Sequence, residues 1–174
     1  VVQYRFPDWK GEDYNSRQRH EEKYEAINEY LGHDCIGAEI GVSKGGFGEL
    51  LLPHCKLLFL VDPWWQCDED AHAVIDVYKN DPNVIIARER SDQFMPKLSD
   101  NSMDFFYLDG CHQYHSVRGD LFTGYQKLKS GGYLLGDDYS WESVQLAMKH
   151  FTEATGVQIT RLQTDQWVAQ KNYE

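Results

Sequence analysis

Residues 37–48, GAEIGVSKGGFG, followed by LLFLVD at 57–62, decide how this chain is read. An apolar run at 36–42 enters a glycine-rich turn and then a helix, and Asp62 closes the next apolar run. In nucleotide-binding βαβ units a carboxylate about 20 residues past the turn meets a ribose hydroxyl. Two details set this site apart from a dinucleotide site. The spacing G-x-G-x-x-G, which seats a pyrophosphate on a helix N-terminus, is missing: the glycines are Gly41, Gly45 and Gly46. Glu39 precedes the turn, where its charge repels a pyrophosphate and suits the cationic amino group of a methionine moiety. Any tight strand-to-helix turn needs glycines, so the reading rests on Glu39 and Asp62 joined to them. The expected cofactor is S-adenosylmethionine.

Outward from this stretch the chain alternates strand and helix. After an aromatic lead segment (Tyr4, Phe6, Trp9, Tyr14), residues 15–31 carry Tyr24, Ile27 and Leu31 on one face with Gly32 beyond, the pattern of an amphipathic helix covering one side of a sheet. Strands are expected at 36–42, 57–61, 84–87, 104–108 and 133–135, and helices near 47–52, 69–78, 117–128 and 144–151, the last ending at Gly156. Such alternation means a parallel sheet wrapped by helices. Two final runs, 157–162 and 167–170, are joined by four polar residues, too few for a parallel crossover, and imply an antiparallel hairpin. The fold expected is a Rossmann-like, doubly wound α/β sheet.

The chain has 174 residues, 41% of them apolar, which suits one domain over 1–174, with a helical lead-in at 1–34 and a cofactor-binding core at 35–174. A net charge of −11 argues against a nucleic-acid partner, since phosphates are met by Lys and Arg. No apolar run approaches the ~18 residues of a membrane span and no signal peptide is visible, so neither a membrane partner nor export is expected. Cys35, Cys55, Cys67 and Cys111 form no C-x-x-C pair, and reduced thiols in the cytoplasm are expected. The start at Val1 rather than Met suits a domain cut from a longer protein.

In an open parallel sheet, ligands bind at the carboxyl ends of the strands. The residues there are acidic: Asp62, Asp109, and the pair Asp137 and Asp138, with His112 three residues after Asp109. Three converging carboxylates repel one another unless a cation neutralises them, and all-oxygen ligands favour Mg²⁺, Mn²⁺ or Ca²⁺. A metal on Asp109, Asp137 and Asp138 is the expectation, with helix N-capping the alternative for one of the last two. His112 is the candidate general base beside Asp109, since imidazole is the side chain suited to taking a hydroxyl proton at neutral pH.

The ordered set AEIGVSKGG (38–46), LVDPW (60–64), LDGCHQYHSV (108–117) and KSGGYLLGDDYSW (129–141) resembles the class I S-adenosylmethionine-dependent methyltransferases. Within them it is similar to the compact metal-dependent O-methyltransferases that include macrolide-sugar and cephalosporin-biosynthesis enzymes. The resemblance covers residue 36 onward. It implies a seven-stranded sheet with a reversed last strand, Glu39, Gly41, Ser43 and Gly45 around the methionine part, Asp62 on the ribose, and Ser91 and Asp92 near the adenine. It also implies Asp109, Asp137 and Asp138 as ligands of Mg²⁺ or Mn²⁺, Asp109 bordering the cofactor as well, and Asp109 with His112 as the catalytic pair. An acidic pair after the fifth strand tilts the match toward sugar acceptors rather than catechols. The lead-in before residue 36 is shorter than the N-terminal regions with which many relatives build substrate pockets or oligomer contacts.

The expected reaction is in-line attack of a hydroxyl of a sugar, glycan or sugar-bearing small molecule on the sulfonium methyl, with His112 accepting the proton and the metal lowering the hydroxyl pKa. Trp64, Trp65, Tyr114, His115, Tyr139 and Trp141 are candidate acceptor contacts, since aromatic faces suit sugar or ring stacking. The rivals are a nicotinamide-dependent oxidoreductase, disfavoured by Glu39 and the glycine spacing, a non-catalytic binding module, and a metal-independent methyltransferase.

Overall fold

The computed structural model describes residues 14–173. The lead residues Tyr4, Phe6 and Trp9 lie outside the described residues. Seven strands form one sheet: β1 (Cys35–Ile40), β2 (Cys55–Val61), β3 (Val84–Ala87), β4 (Met103–Leu108), β5 (Leu128–Gly136), β6 (Ile159–Arg161) and β7 (Trp167–Gln170). Among the described residues six α-helices connect or precede them: α1 (Tyr14–Ile27), α2 (Gly48–Leu51), α3 (Asp68–Tyr78), α4 (Ser91–Phe94), α5 (Tyr114–Lys127) and α6 (Glu142–Thr155). The spatial order is β3-β2-β1-β4-β5-β7-β6. Strands β1 to β5 pair in parallel and β7 runs antiparallel to both β5 and β6. This is the Rossmann-like, doubly wound sheet that the sequence predicts, with the reversed strand where the short polar connection at 163–166 requires it.

Side chains alternate between the two sheet faces. On one face Leu58, Leu60, Phe105, Tyr107 and Leu135 pack with Ile27, Leu51, Val74 and Tyr78 from α1, α2 and α3. On the other Ala38, Ile40, Val61, Phe106 and Leu134 meet Phe94, Leu121, Val144, Met148 and Phe151 from α4, α5 and α6. Burying each large apolar side chain contributes about 1.5–3 kcal/mol. Helix α6 ends where Gly156 turns left-handed at φ 74°, with its N–H bonded to the Thr152 carbonyl, the glycine cap that the sequence predicts.

Against the sequence expectations, β1 ends at Ile40 rather than 42, β6 spans only Ile159–Arg161, and three further details differ. Helix α1 stops at Ile27 and continues as a single 3₁₀ turn, Asn28–Tyr30, rather than reaching Leu31. Strand β5 begins at Leu128, five residues before the expected start, because Lys129 and Ser130 continue the extended path that the Gly131-Gly132 pair had suggested was a break. Helix α4 is one turn long, too short to leave a periodic signal.

The centre of the sheet leaves no room for a side chain at Gly37. A Cβ there would lie 2.1 Å from Cζ of Phe105, whose ring is 1% exposed. Gly37→Ala should therefore destabilise the fold by about 2 kcal/mol and lower the thermal midpoint by roughly 4–8 °C. An unchanged midpoint in thermal denaturation would show that the Phe105 ring is not packed against this strand as described.

Candidate cofactor and acceptor cleft

Register aligns the strand ends. Ile40 pairs with both Val61 and Leu108, Leu108 with Gly136, and Val61 with Ala87. The next residue of each strand is still tied to its neighbour: Gly41 N–H to the Val61 carbonyl at 2.9 Å, Asp62 to Ala87 at 3.2 Å, Asp109 to Ile40 at 2.8 Å and Asp137 to Leu108 at 3.2 Å. Asp62, Gly41, Asp109 and Asp137 thus form a row along the carboxyl edge of the sheet. The loops after β1 and β4 diverge at this point, the position where open α/β sheets take ligands. Gly41 has φ 90°, and a Cβ there would lie 2.1 Å from the Asp109 carbonyl oxygen. Only glycine permits both the conformation and the approach.

A cleft of about 1420 Å³ opens over this row and is lined by Gly41, Ser43, Asp62, Ser91, Asp92, Asp109 and His112 among others. Two of the residues expected around the methionine part, Glu39 and Gly45, do not line it. Glu39 is 2% exposed, and its Oε2 lies under the start of α2, 2.9 Å from where a Gly48 Cβ would stand, without a hydrogen-bond partner. Burial, reinforced by Asp109, pushes its pKa well above the carboxylate range. A strand residue one step before the turn faces a sheet side rather than the edge, which is why Glu39 leaves the row.

Asp62 braces the turn. Its Oδ2 accepts the N–H groups of Val42 and Ser43, both at 2.9 Å, and its Oδ1 accepts that of Trp64 at 2.7 Å. Trp64 is itself a pin, 4% exposed with its indole N–H donating to the Ser43 carbonyl at 2.7 Å. Of the other aromatic candidates, Tyr114 is tied to His150 at 2.7 Å. Tyr139 lies outside the cleft lining beneath the Arg161 guanidinium. Trp65 and Trp141, 70% and 52% exposed, stand at the rim with His115.

The three acids expected to bind metal do converge, with one oxygen from each of Asp109, Asp137 and Asp138 within 4.8 Å of the others. None caps a helix: the residue before α6 is Trp141. Their partners come from across the fold. The Lys23 ammonium of α1 donates to Asp109 Oδ2 at 3.0 Å and pairs with Asp137 Oδ2. The other oxygen of Asp137 accepts from Gln166, which accepts from the Tyr107 hydroxyl at 2.8 Å. The indole of Trp167 donates to the Asp137 carbonyl at 2.8 Å. Asp138 pairs with Nδ1 of His112 at 2.9 Å, while Trp141 covers the His112 ring at 4.7 Å and Ser143 donates to its carbonyl. Lys23, Gln166 and Trp167 carry no chemical signal in the sequence, since each meets the acids only through tertiary packing.

Burial sets the protonation energetics. It raises Asp109 to about 6, with Asp137 adding to the rise and Lys23 opposing it. Burial also raises Asp138, helped by Asp137 and opposed by His112. Lys23 is raised: burial works against its charge, and Asp109 and Asp137 outweigh that. The donor chemistry suits a hard divalent ion, but the position between Asp109 and Asp137 is held by the ammonium, and an ion there has to displace it.

Asp120 of α5 also borders the cleft and was not anticipated. Burial raises its pKa to about 6, with Ser91 opposing and Asp92 adding. A carboxyl raised on folding is penalised when charged, so stability falls as pH climbs from about 4 through 6. Asp120→Asn should raise the thermal midpoint by roughly 4–8 °C at pH 7.5, from about 2–3 kcal/mol, and by little at pH 4. Melts at the two pH values check this, and an equal gain at both would contradict it.

The family described as methyltransferase domain matches residues 36–139. A curated, uncharacterized protein of Acanthamoeba polyphaga mimivirus is 29% identical over 121 residues, 64% of this chain and 55% of that protein, so the chain spans about half the length of that relative. The N-methyltransferase NodS from Bradyrhizobium japonicum, in complex with S-adenosyl-L-homocysteine, superposes with a TM-score of 0.67 at 21% identity, covering 95% of this chain and 92% of NodS. A SAM-dependent O-methyltransferase from Thermotoga maritima gives 0.65 at 14% identity over 88% of this chain and 65% of that one. At these identities the solved structures establish the shared fold.

Proposed function

The chain belongs to the methyltransferase-domain family, and from that premise we propose that it transfers the methyl group of S-adenosylmethionine to a hydroxyl of a neutral, ring-bearing acceptor of the sugar or glycan class. The observation that carries the reading is the row at the sheet edge. Gly41, Ser43, Asp62 and His112 line the cleft, and Asp138, outside the lining, holds the His112 ring from behind. Asp62, Ser91 and Asp92 are the candidates for the ribose and adenine, and Gly41 and Ser43 for the methionine part. An acidic lining that includes Asp62, Asp70, Glu89 and Asp109 suits a sulfonium cation and repels anionic acceptors.

In the proposed reaction the acceptor oxygen attacks the methyl carbon as the carbon–sulfur bond breaks, leaving neutral S-adenosylhomocysteine. The hydroxyl proton passes to His112. Asp138 holds Nδ1, so Nε2 is the nitrogen that receives it, the carboxylate–imidazole division of labour used by activated bases. Alignment of the two substrates contributes most of the remainder, about 7 kcal/mol or more in bimolecular reactions. The exposed faces of Trp65 and Trp141 support a ring-stacking acceptor. A divalent ion on Asp109, Asp137 and Asp138 would polarise the hydroxyl when bound. The carboxylate geometry supports that second reading, and no step above depends on it.

Calorimetry should detect S-adenosylhomocysteine binding, weakened at least about tenfold in Asp62→Asn, because the amide cannot accept all three backbone N–H groups that shape the turn. No heat with the unsubstituted protein would remove the premise. His112→Ala should lower transfer from labelled S-adenosylmethionine to a saccharide acceptor by ~10²-fold with cofactor affinity unchanged. His115→Ala serves as the control. Loss of turnover in His115→Ala alone would move the base to that residue.

A further inference from the structure

We infer that Lys23 is the resident cation of the acidic row, a positioning residue that neutralises Asp109 and Asp137 in place of a divalent metal. The inference rests on the methyl-transfer reading only for what the row is used for. Lysine is almost never buried unless paired, and Lys23 is 8% exposed with its ammonium on both carboxylates. It does not reach there on a loose arm. Its neighbours fix α1 independently: Tyr24 bonds His54 at 2.7 Å, Ile27 is fully buried in the core, and the Glu22 carbonyl accepts from Thr164.

The remaining donors around the row fall into place with an ammonium at its centre. Asp137 gives its other oxygen to Gln166, and Asp138 is turned to His112. Three neighbouring carboxylates need a cation, and the chain supplies one from α1. Lys23 acts through the two aspartates, fixing the orientation of Asp109 in the cleft lining and of Asp137 beside it, and a divalent ion competes with it for the same oxygens.

The test uses the EDTA-treated protein, Lys23→Met and Lys23→Arg, with Mn²⁺ binding followed by loss of the free-ion electron paramagnetic resonance signal and S-adenosylhomocysteine binding by calorimetry. Removing the ammonium should expose the carboxylates to metal, so Lys23→Met should bind Mn²⁺ at least about tenfold more tightly than the unsubstituted protein or Lys23→Arg. The gain should vanish when Asp109→Asn is added, and Mn²⁺ should raise the thermal midpoint of Lys23→Met alone. A merely structural ion pair predicts lost stability without a new Mn²⁺ site. If Lys23→Met cannot bind S-adenosylhomocysteine in EDTA, Mn²⁺ should restore that binding, and failure to do so counts against the inference. Equal, tight Mn²⁺ binding by all three proteins, lost in Asp109→Asn, overturns the role of Lys23 and leaves metal assistance standing. No Mn²⁺ binding by any of them removes both. Absence of S-adenosylhomocysteine binding by the unsubstituted protein strikes the methyl-transfer premise separately.

Discussion

The parallel register at the centre of the sheet is the constraint on which the site depends. Because Ile40 lies level with Val61 and Leu108, and Leu108 with Gly136, the residues that leave the strands must emerge side by side. A slip of one residue would turn every core side chain to the opposite face and scatter the acids. The core on both faces opposes that slip, so the same packing that stabilises the sheet also fixes the spacing of Asp62, Asp109 and Asp137. Gly41 stands between the first two and contributes only backbone, which lets the Asp109 carbonyl approach where a side chain would otherwise stand.

Placing carboxylates in a row is electrostatically costly, and the chain meets the cost in different ways at each position. Asp62 is solvated by backbone N–H groups. Asp109 and Asp137 share an ammonium, and Asp138 an imidazole. Removing one partner of a buried ion pair typically costs about 3–5 kcal/mol, so this network makes α1 part of the framework of the acidic row rather than a cover on the sheet. Gln166 and Trp167 tie Asp137 to the reversed strand β7 in the same way. The site therefore draws on the first helix, four central strands and the terminal hairpin at once.

What the sequence disclosed and what it hid follow from how local each signal is. The glycine turn, the strand-end acids, the Gly156 cap and the hairpin are all written in consecutive residues, so periodicity and turn chemistry expose them. Glu39 is also local, but its direction is not: position in the turn motif suggested a cofactor contact, and strand alternation sends it beneath α2. Trp64 looked like a stacking surface because nothing in the sequence shows its indole reaching Ser43. Lys23 sits in an acidic helical stretch, HEEKYEAI, where a lone lysine reads as a solvated charge. Its partners lie far away in the chain, and only the assembled sheet brings them together.

That distance also orders events in time. Lys23 and Asp109 are separated by 86 positions, and Asp137 is further still, secured by residues close to the end of the chain. Among the described residues α1 precedes every strand, yet the carboxylates that Lys23 meets are in place only once β4, β5 and β7 have paired. Closing so long a loop before its contacts form is entropically unfavourable. The ion pairs of Lys23 are therefore expected to close late, after the strands that carry their partners have paired.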